Sequence, residues 1–597
     1  MVKRKIKNND RKLWDEDFTK IWLKKSKNRA VILCTIIFFC FSVISMRLIV
    51  LMVFDHETLS NKAEQQYRRI KTLRPQRGII WDRTMRQMAI SVDALSLYAV
   101  PSRIDNVKDL SSRLAPVIKI PAKKIMRKIL SRKDKDFIWL ARKMDNEAVL
   151  RINELKREFE YKELGFITEP KRYYPKGKIA SHILGYTNID DEGLDGVELK
   201  YNDFIKGKGK KVRLGRDARG YSLYKNIEGN VQGNSLMLTI DEGIQYIVER
   251  ELENAVNIWK AEAAVAIMMN PKTGEILAMA NRPTYDPNFA GRVKADVRRN
   301  RAITDIYEPG STFKAILASA AIEEEVVALD EKFDVSKGFI KVPGGIIHDA
   351  HKHEVLFFGE VIQKSSNVGA VQIALKLGNE RFYNYIKKFG FGMKTGIDLL
   401  GETRGLLRRP RDWSGRSLAS LSIGQEIGVT PLQLLRAYAA IANGGTLMKP
   451  YVVSAVISPT GEVIKSFSPK IERRVMSENN ARIISDILKT VVKEGGTAQQ
   501  AAIKGNLVAG KTGTAQMIDP ETGRYSKKDF VSSFVGFVPA DNPEIALIVV
   551  VFKPRGGKYG GVVAAPVFKN IIENTLVYLN IPMEMDDNHV FLVSSSN

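Results

Sequence analysis

The stretch YEPGSTFKA, residues 307–315, brings reactive residue types to the start of a predicted helix. Pro309 and Gly310 do not readily continue a helix, whereas the following TFKAILASAAIEEE is strongly helical. Ser311 is therefore predicted in the first turn, where free N–H groups favour developing negative charge. Lys314 lies three residues on, on the same helix face. A lysine whose pKa is lowered by burial and a second cation can take the serine proton, which makes a nucleophile with its own base.

Two further stretches are needed to make this pattern specific. A helix-capping serine followed by a surface lysine gives the same spacing, and Ser-x-x-Lys recurs at Ser222 and Lys225, where nothing indicates a helix start. The stretch QKSSNVGA supplies a hydroxyl at Ser365 and an amide at Asn367, which can face one cleft.

The third stretch is LVAGKTGTAQ, which contains Lys-Thr-Gly-Thr at 511–514. It is predicted to be a strand whose glycine lets a substrate approach the backbone. Lys-Thr-Gly also occurs at 272–274 and 394–396, but only the copy at 511 follows the other two elements and continues into Thr-Ala. The ordered set of three is the set found in penicillin-binding proteins and serine β-lactamases.

The elements that must position these residues can be read from the surrounding pattern. LMLTIDEGIQYIVERELENAV, from Leu236, predicts a short strand and then an amphipathic helix capped by Asp241. AAVAIMMNP and GEILAMA predict a buried hairpin, and VSSFVGFVP (531–539) with EIALIVVVF (544–552) a second one. Strands at both ends of a helix-rich segment predict an α+β domain that closes one sheet from distant segments.

The bulk properties place this domain outside a membrane. A chain of 597 residues predicts two or more domains. The run from Ala30 to Phe54 is long enough for a crossing, which needs about 20 residues, and no small-x-small cleavage site follows. We therefore expect an uncleaved anchor at 30–54, in which Arg47 reaches toward the outer interface; a functional contact with a partner helix is the alternative for Arg47.

Charge and cysteine usage agree with this topology. The net charge of +26 suggests nucleic acid, but residues 1–29 alone hold eleven Lys/Arg and four Asp/Glu directly before the anchor. That basic flank predicts a cytoplasmic N-terminus, with everything after Phe54 outside, and no nucleic-acid partner is expected. The only cysteines, Cys34 and Cys40, lie in the anchor, so the exported part has neither a disulfide nor a thiol nucleophile.

Beyond the three elements, the chain resembles a class B penicillin-binding protein of the septal, cell-division transpeptidase type over nearly its whole length. The N-terminal part carries RGIIWDR (77–83), RYYPKGKIASHILGYTN (172–188) and DGVELKYNDFIKG (195–207), and the C-terminal part carries IGQEIGVTPLQLLRAYAAIANGG and GFVPADNPEIALIVVV. One departure is Thr84-Met85-Arg86, where the family usually has a glycine turn. The shape of that turn is therefore open.

The resemblance implies a penicillin-binding/serine β-lactamase-like domain, an antiparallel sheet with helices, on an elongated N-terminal pedestal behind a single transmembrane helix. The expected divisions are a cytoplasmic segment at 1–29, the anchor at 30–54, a pedestal of the dimerisation type at 55–232, a transpeptidase domain at 233–583 and a tail at 584–597. The location implied is the inner (plasma) membrane at the division septum, with the catalytic domain periplasmic.

The resemblance also implies roles for individual residues. Ser311 would attack the penultimate D-alanine carbonyl of a peptidoglycan stem peptide, with Lys314 as base, Ser365 as proton relay and Asn367 holding Lys314 and the substrate amide. Lys511 would add positive charge, and the backbone N–H groups of Ser311 and Thr514 would form the oxyanion hole. The residues expected to bind the substrate are Thr512, Gly513 and Thr514. A neighbouring stem's amine would then take the acyl group, and β-lactams would acylate the same serine.

Other activities fit the three elements less well. A β-lactamase needs a glutamate loop to activate water, and the sequence shows no convincing one. A penicillin-sensing receptor usually has several membrane spans and a cytoplasmic enzyme. A non-catalytic divisome scaffold would keep the motifs without turnover. No cofactor is expected. The histidines of HDAHKHE (348–354) lack zinc-site spacing, so this stretch is interpreted as a polar loop beside the cleft, without a metal. The expected partners are a membrane glycan polymerase and other division proteins.

Overall fold

The structure is a computed structural model that describes residues 9–60, 68–73, 75–215, 232–519 and 521–581. The expected tail at 584–597 and the second Ser-x-x-Lys pattern at Ser222 and Lys225 lie outside these residues. The described chain divides into two compact units. One contains the residues up to Leu73 and the strand Lys210–Gly215, and the other contains 75–208 and 232–581.

The first unit is built around one long helix. Helix α1 (Asn9–Ile49) continues into a π-helical turn at Val50–Phe54. Its apolar part, Trp22–Phe54, is long and apolar enough to cross a membrane, and its apolar side chains are exposed rather than packed on protein. This helix suggests membrane anchoring, as the sequence predicts for 30–54. In the same unit the strand Arg68–Leu73 pairs antiparallel with Lys210–Gly215.

The described strands are numbered β1 to β20 along the chain. They are β1 (Arg68–Leu73), β2 (Ile80–Trp81), β3 (Gln87–Ala99), β4 (Ile138–Ala141), β5 (Leu164–Tyr173), β6 (Lys210–Gly215), β7 (Ser235–Leu238), β8 (Ala263–Met269), β9 (Ile276–Arg282), β10 (Lys332–Asp334), β11 (Phe339–Val342), β12 (Gly345–His348), β13 (Val355–Phe357), β14 (Thr446–Met448), β15 (Val453–Ile457), β16 (Val463–Ser466), β17 (Ile471–Arg474), β18 (Ala509–Ile518), β19 (Tyr525–Val538) and β20 (Ile545–Phe552).

The α-helices of the second unit are numbered on from α1. They are α2 (Val107–Ile118), α3 (Ala122–Leu130), α4 (Asn146–Glu158), α5 (Ser181–Leu184), α6 (Gly196–Lys200), α7 (Asn202–Ile205), α8 (Glu242–Trp259), α9 (Ala295–Arg298), α10 (Arg301–Thr304), α11 (Lys314–Glu323), α12 (Phe358–Gln363), α13 (Asn367–Leu377), α14 (Asn379–Lys388), α15 (Ser417–Ser422), α16 (Pro431–Ala442), α17 (Glu478–Val492), α18 (Gly560–Val563) and α19 (Ala565–Tyr578).

A five-stranded antiparallel sheet carries the third sequence element. Its order is β18-β19-β20-β8-β9, so both predicted hairpins are confirmed and segments nearly 300 residues apart share one sheet. Alternate residues of β8 serve two cores: Val265 and Ile267 pack on the side of α11 and α16, and Ala264 and Ala266 on the side of α8 and α19. Burial on both faces explains why these strands are continuous apolar runs.

A second, seven-stranded sheet combines strands that come before residue 232 with strands that come after it. Its order is β16-β15-β7-β2-β3-β4, with β5 also paired to β3, and β2 runs parallel to β7. Helices α2, α3 and α4 pack on its β3–β4–β5 end around a separate core that includes Leu110, Ile129 and Ile152. Helix α4 covers Asn146–Glu158, and Asp241 caps α8 as predicted by accepting from Gly243 N.

The turn at Thr84-Met85-Arg86 keeps a left-handed backbone without a glycine. Met85 has φ +64°, a conformation that favours glycine. The Asp82 carboxylate compensates, because its Oδ1 accepts from Thr84 N at 2.8 Å and from Arg86 N at 2.7 Å. The shape of the turn, left open by the sequence, is therefore set by Asp82.

Candidate active site

Ser311 lies in a 3₁₀ turn, Gly310–Phe313, that leads directly into α11. The sequence places it in the first turn of the α-helix; the helix itself begins at Lys314. Gly310 has φ +58°, and a Cβ there would lie 3.0 Å from Thr514 O, so the turn needs glycine both for conformation and for its approach to β18. The Ser311 hydroxyl makes no hydrogen bond with a described residue, and Ser311 lines a cavity.

Lys314 is fully buried at the start of α11. Its Nζ donates to Ser365 O at 2.7 Å, to Asn367 Oδ1 at 2.7 Å and to Ser365 Oγ at 3.3 Å. It forms no ion pair with a described residue. Burial lowers the pKa of Lys314 to about 7, although the Asp349 charge acts to raise it. A proton on this amine is therefore labile near neutral pH, which is what a general base requires.

The loop before α13 presents Ser365 and Asn367 to this lysine. Ser365 has φ +62°, and its carbonyl and hydroxyl both receive hydrogen bonds from Lys314. Ser366 caps α13 by accepting from Gly369 N, and Asn367 is the first residue of that helix. The predicted approach of Ser365 and Asn367 to one cleft is thus observed in the geometry.

Asp349 fixes that loop, a role that the sequence does not predict. Its Oδ1 accepts from Asn367 N and, at 3.1 Å, from Val368 N, and its Oδ2 accepts from Ser366 Oγ at 2.8 Å. Only a polar loop was expected for HDAHKHE, and no local signal distinguishes Asp349 from its acidic neighbours. His351 and His353 of the same stretch line the cavity. The described residues contain no cluster of metal-ligating side chains.

Lys511 also contacts the Ser365 hydroxyl. It is fully buried on β18, and its Nζ donates to Ser365 Oγ at 3.0 Å. Burial first, and then the charge of Lys314, hold the pKa of Lys511 well below its usual value. The Ser365 hydroxyl thus lies between two lysine nitrogens, an arrangement through which a proton can pass.

The rest of β18 forms the floor of the cavity. Thr512 Oγ1 lies 3.1 Å from Thr497 Oγ1, and Thr514 Oγ1 accepts from Gly560 N at 3.0 Å. A Cβ on Gly513 would lie 2.3 Å from Ser533 Oγ and 2.8 Å from Pro309 O. The sequence predicts that this glycine lets a substrate approach the backbone, and in the structure its lack of a side chain also allows close packing between β18 and the turn that carries Ser311.

The cavity has a volume of about 880 Å³ and brings the three sequence elements together. Ser311, Ser365, Asn367, Thr512 and Thr514 line it, with Lys314 and Lys511 buried beneath and Gly513 supporting the serine turn. Neither other Lys-Thr-Gly copy lines it: the copy at 272–274 turns between β8 and β9, and the copy at 394–396 lies in a loop held by Glu402.

Comparisons with known families agree with this geometry. The model described as penicillin binding protein transpeptidase domain matches residues 264–573, and the model described as penicillin-binding protein dimerisation domain matches residues 72–238.

Similar proteins also cover most of the chain. The stage V sporulation protein D of Bacillus subtilis (strain 168) is 36% identical over 91% of this chain and 84% of its own length. The peptidoglycan D,D-transpeptidase FtsI of Escherichia coli (strain K12) is 33% identical over 93% of this chain and 92% of its own. The crystal structure of penicillin binding protein 3 from Mycobacterium tuberculosis complexed with aztreonam has a TM-score of 0.67 and 28% identity, and covers 86% of this chain and 98% of that one.

Proposed function

The chain belongs to the class B penicillin-binding proteins, and from that premise we propose a role for each residue of its active site. The protein is a serine-type peptidoglycan D,D-transpeptidase that cross-links stem peptides and is acylated by β-lactams. The observation that carries the assignment of residues is the pair of buried lysines around Ser365 Oγ, at the cavity that Ser311 also lines.

In the proposed first step Ser311 Oγ attacks the carbonyl carbon of the penultimate D-alanine. Lys314, neutral for part of the time near pH 7, takes the hydroxyl proton. The backbone N–H groups of Ser311 and Thr514 stabilise the oxyanion, a contribution of about 3 kcal/mol per donor in comparable sites. The close approach of Gly310 to Thr514 supports this pairing.

In the proposed collapse of the intermediate, the C–N bond to the terminal D-alanine breaks and its amine takes a proton from Ser365. Lys511 and Lys314 both contact that hydroxyl, so either can supply the proton that it loses. Asn367 holds Lys314 in place through Oδ1 and is available to the substrate amide. The hydroxyls of Thr512 and Thr514, with Lys511 behind them, receive the terminal carboxylate.

The cellular setting is part of the proposal. The catalytic domain at 233–583 and the pedestal at 55–232 act outside the inner membrane, behind the cytoplasmic segment 1–29 and the anchor 30–54, with 584–597 as a tail. The relatives named FtsI support a role at the division septum. A membrane glycan polymerase and other division proteins are the partners that we propose there. A relative named for sporulation makes sporulation the second candidate setting.

The test of the nucleophile uses the full-length protein in detergent with a fluorescent penicillin. Wild type should give a covalent band on a denaturing gel, and Ser311→Ala should lose it. Ser222→Ala changes the other Ser-x-x-Lys pattern and serves as the matched control, which should label like wild type. Labelling that survives Ser311→Ala, or that is lost in Ser222→Ala, contradicts the proposed nucleophile.

A further inference from the structure

One wall of the cavity is formed by a loop with two adjacent glycines. The loop joins β20 to α18 over residues 553–559, and its last two residues, Lys558 and Tyr559, line the cavity. Gly556 and Gly557 precede them, and Gly556 has φ +82°. Because glycine has more backbone freedom than any other residue, this wall needs contacts with the rest of the domain to stay in place.

The end of the loop is joined to the five-stranded sheet by two hydrogen bonds. Ser532 Oγ donates to Lys558 O at 2.7 Å, and Gly560 N donates to Thr514 Oγ1 at 3.0 Å. A threonine hydroxyl can accept one hydrogen bond while it donates another, and none of the described residues accepts the proton of Thr514. The chain that leaves the loop therefore contacts the hydroxyl that is proposed to receive the ligand carboxylate.

The first half of the loop packs on Trp259, the last residue of α8. Trp259 O accepts from Arg555 N at 2.7 Å. The indole ring lies against Gly557, where a Cβ would be 2.6 Å from the ring, so only glycine lets the backbone approach this closely. Trp259 is half-buried and is not one of the residues that line the cavity. It contacts the loop and not the ligand.

Two exposed ion pairs are the other polar side-chain contacts that the described residues make with this half of the loop. Arg555 Nη1 lies 3.0 Å from Asp529, and Lys553 Nζ lies 2.7 Å from Glu262. The side chains of Arg555 and Glu262 are 54% and 65% exposed, so water and salt screen both pairs. The contact between the indole ring and Gly557 is apolar and is not screened. We therefore expect it to contribute more to the position of the loop.

Resting on the proposed function, we propose that Trp259 is a positioning residue for ligand binding. Its indole ring fixes Gly557, and the loop transmits that position to Lys558 and to the hydrogen bond on Thr514. One wall of the cavity is then in place before a stem peptide or a β-lactam enters, which lowers the cost of ordering the site on binding.

The same argument separates binding from the chemical step. Ser311 and Lys314 are held by the 3₁₀ turn and by α11, which belong to another part of the domain than the loop. Loss of the indole contact should therefore weaken the first, non-covalent complex and leave the rate of acylation within that complex almost unchanged.

The experiment measures these two quantities separately. The full-length enzyme in detergent is mixed with a fluorescent penicillin in a stopped-flow instrument. The dependence of the acylation rate on drug concentration gives the dissociation constant of the first complex and the limiting rate. For Trp259→Ala we expect a dissociation constant at least about tenfold higher and a limiting rate within about twofold of wild type. Trp259→Phe keeps an aromatic ring and should recover most of the affinity. Ile258→Ala changes the exposed neighbour on α8 and should behave like wild type.

Gly557→Ala tests the same contact from the side of the loop. The added methyl group would clash with the indole ring, so the loop must shift and the dissociation constant should rise as in Trp259→Ala. In the double variant the ring is gone and the methyl group has room, so the two effects should not add. Because Gly557→Ala removes no packing from the domain, it decides the question even if Trp259→Ala lowers the melting temperature.

Three outcomes would overturn the inference while leaving the transpeptidase intact. They are an unchanged dissociation constant in Gly557→Ala, additive effects of the two substitutions, and a lower limiting rate at unchanged affinity. A wild-type enzyme that is not acylated by the penicillin contradicts the proposed function itself.

Discussion

Two regions of this protein each bury a pair of cationic side chains. One region pairs them with a carboxylate, and the other surrounds them with neutral groups. In the N-terminal part of the second unit, Arg77 and Arg172 are each about 1% exposed and both contact the fully buried Glu198, at 2.7 and 2.6 Å. Burial acts to raise the pKa of Glu198, but Arg172 and Arg77 outweigh it and hold the pKa below its usual value. The Glu198 carboxylate therefore stays ionised beside the two guanidinium groups.

The active site buries Lys314 and Lys511 without an ion pair between either nitrogen and a carboxylate of the described residues. Within the described part of the chain, their nitrogens donate hydrogen bonds to neutral groups: the carbonyl and hydroxyl of Ser365, the amide of Asn367 and, at 3.5 Å, the hydroxyl of Thr512. Burial therefore lowers both pKa values. The comparison teaches that one carboxylate decides whether a buried cation stabilises the fold or exchanges its proton. Arginine suits the first role because it stays charged, and lysine suits the second.

The largest expected effect is on the rate of acylation. Lys314→Met removes the base while filling the space with an apolar chain of similar length, so the second-order rate of penicillin acylation should fall by about 10²–10⁴-fold. Because a buried amine without a counter-ion is costly, the melting temperature should stay the same or rise. Stopped-flow labelling and thermal unfolding measure the two quantities. If Lys314→Met is slow and its melting temperature has also fallen, the loss of rate reflects unfolding and contradicts the prediction.

The converse substitution is Glu198→Gln, which removes the carboxylate from the arginine pair. Two buried guanidinium groups are left uncompensated, so we expect a loss of about 3–5 kcal/mol in the free energy of unfolding. The acylation rate of the folded protein should be unchanged. Glu147→Gln, which breaks the exposed ion pair with Arg151, is the control and should cost at most about 0.5 kcal/mol. Denaturant unfolding measures both, and similar losses would remove the basis of the comparison.

The pH dependence of acylation should report the lysine pair directly. Below a pKa of about 7 Lys314 holds a proton and cannot accept that of Ser311, so the rate should fall about tenfold per pH unit on the acid side and level off above. The carboxylate of a penicillin stays ionised across this range. Since Lys314 and Lys511 interact, the midpoint belongs to the pair. A rate that is flat between pH 5 and 8 would show that no base of this kind acts.

A smaller effect separates the backbone of Ser365 from its hydroxyl. The residue has φ +62°, which costs a non-glycine residue about 1 kcal/mol and turns its carbonyl to Lys314. The free energy of unfolding of Ser365→Gly should therefore be about 1 kcal/mol higher than that of Ser365→Ala. Both variants should lose acylation, because both lack the hydroxyl. Equal stabilities of the two variants in denaturant would show that the left-handed conformation carries no cost.

Features of the fold and the site that depend on residues close together in the sequence could be predicted from it. Features that depend on contacts between distant residues could not. The hairpins around β8 and β20, the Asp241 cap and the three motifs follow from local patterns, and the roles of the motif residues follow from resemblance. The contact of Lys511 with Ser365 joins residues 146 positions apart and needs the folded sheet. The same holds for Gly513, whose contact with Pro309 appears only when β18 packs on the serine turn.

Asp349 is the residue that the sequence could least predict, and it supports the smallest prediction. It is the charge that opposes the lowering of the Lys314 pKa, and it accepts hydrogen bonds from the loop that carries Asn367. Asp349→Asn keeps an acceptor oxygen but removes the charge, so the protonated form of Lys314 loses stabilisation. Its pKa should fall further, and the midpoint of the acylation profile should move to lower pH. A midpoint that moves upward, or a loss of rate at every pH, would instead indicate that Asp349 acts only by holding the loop.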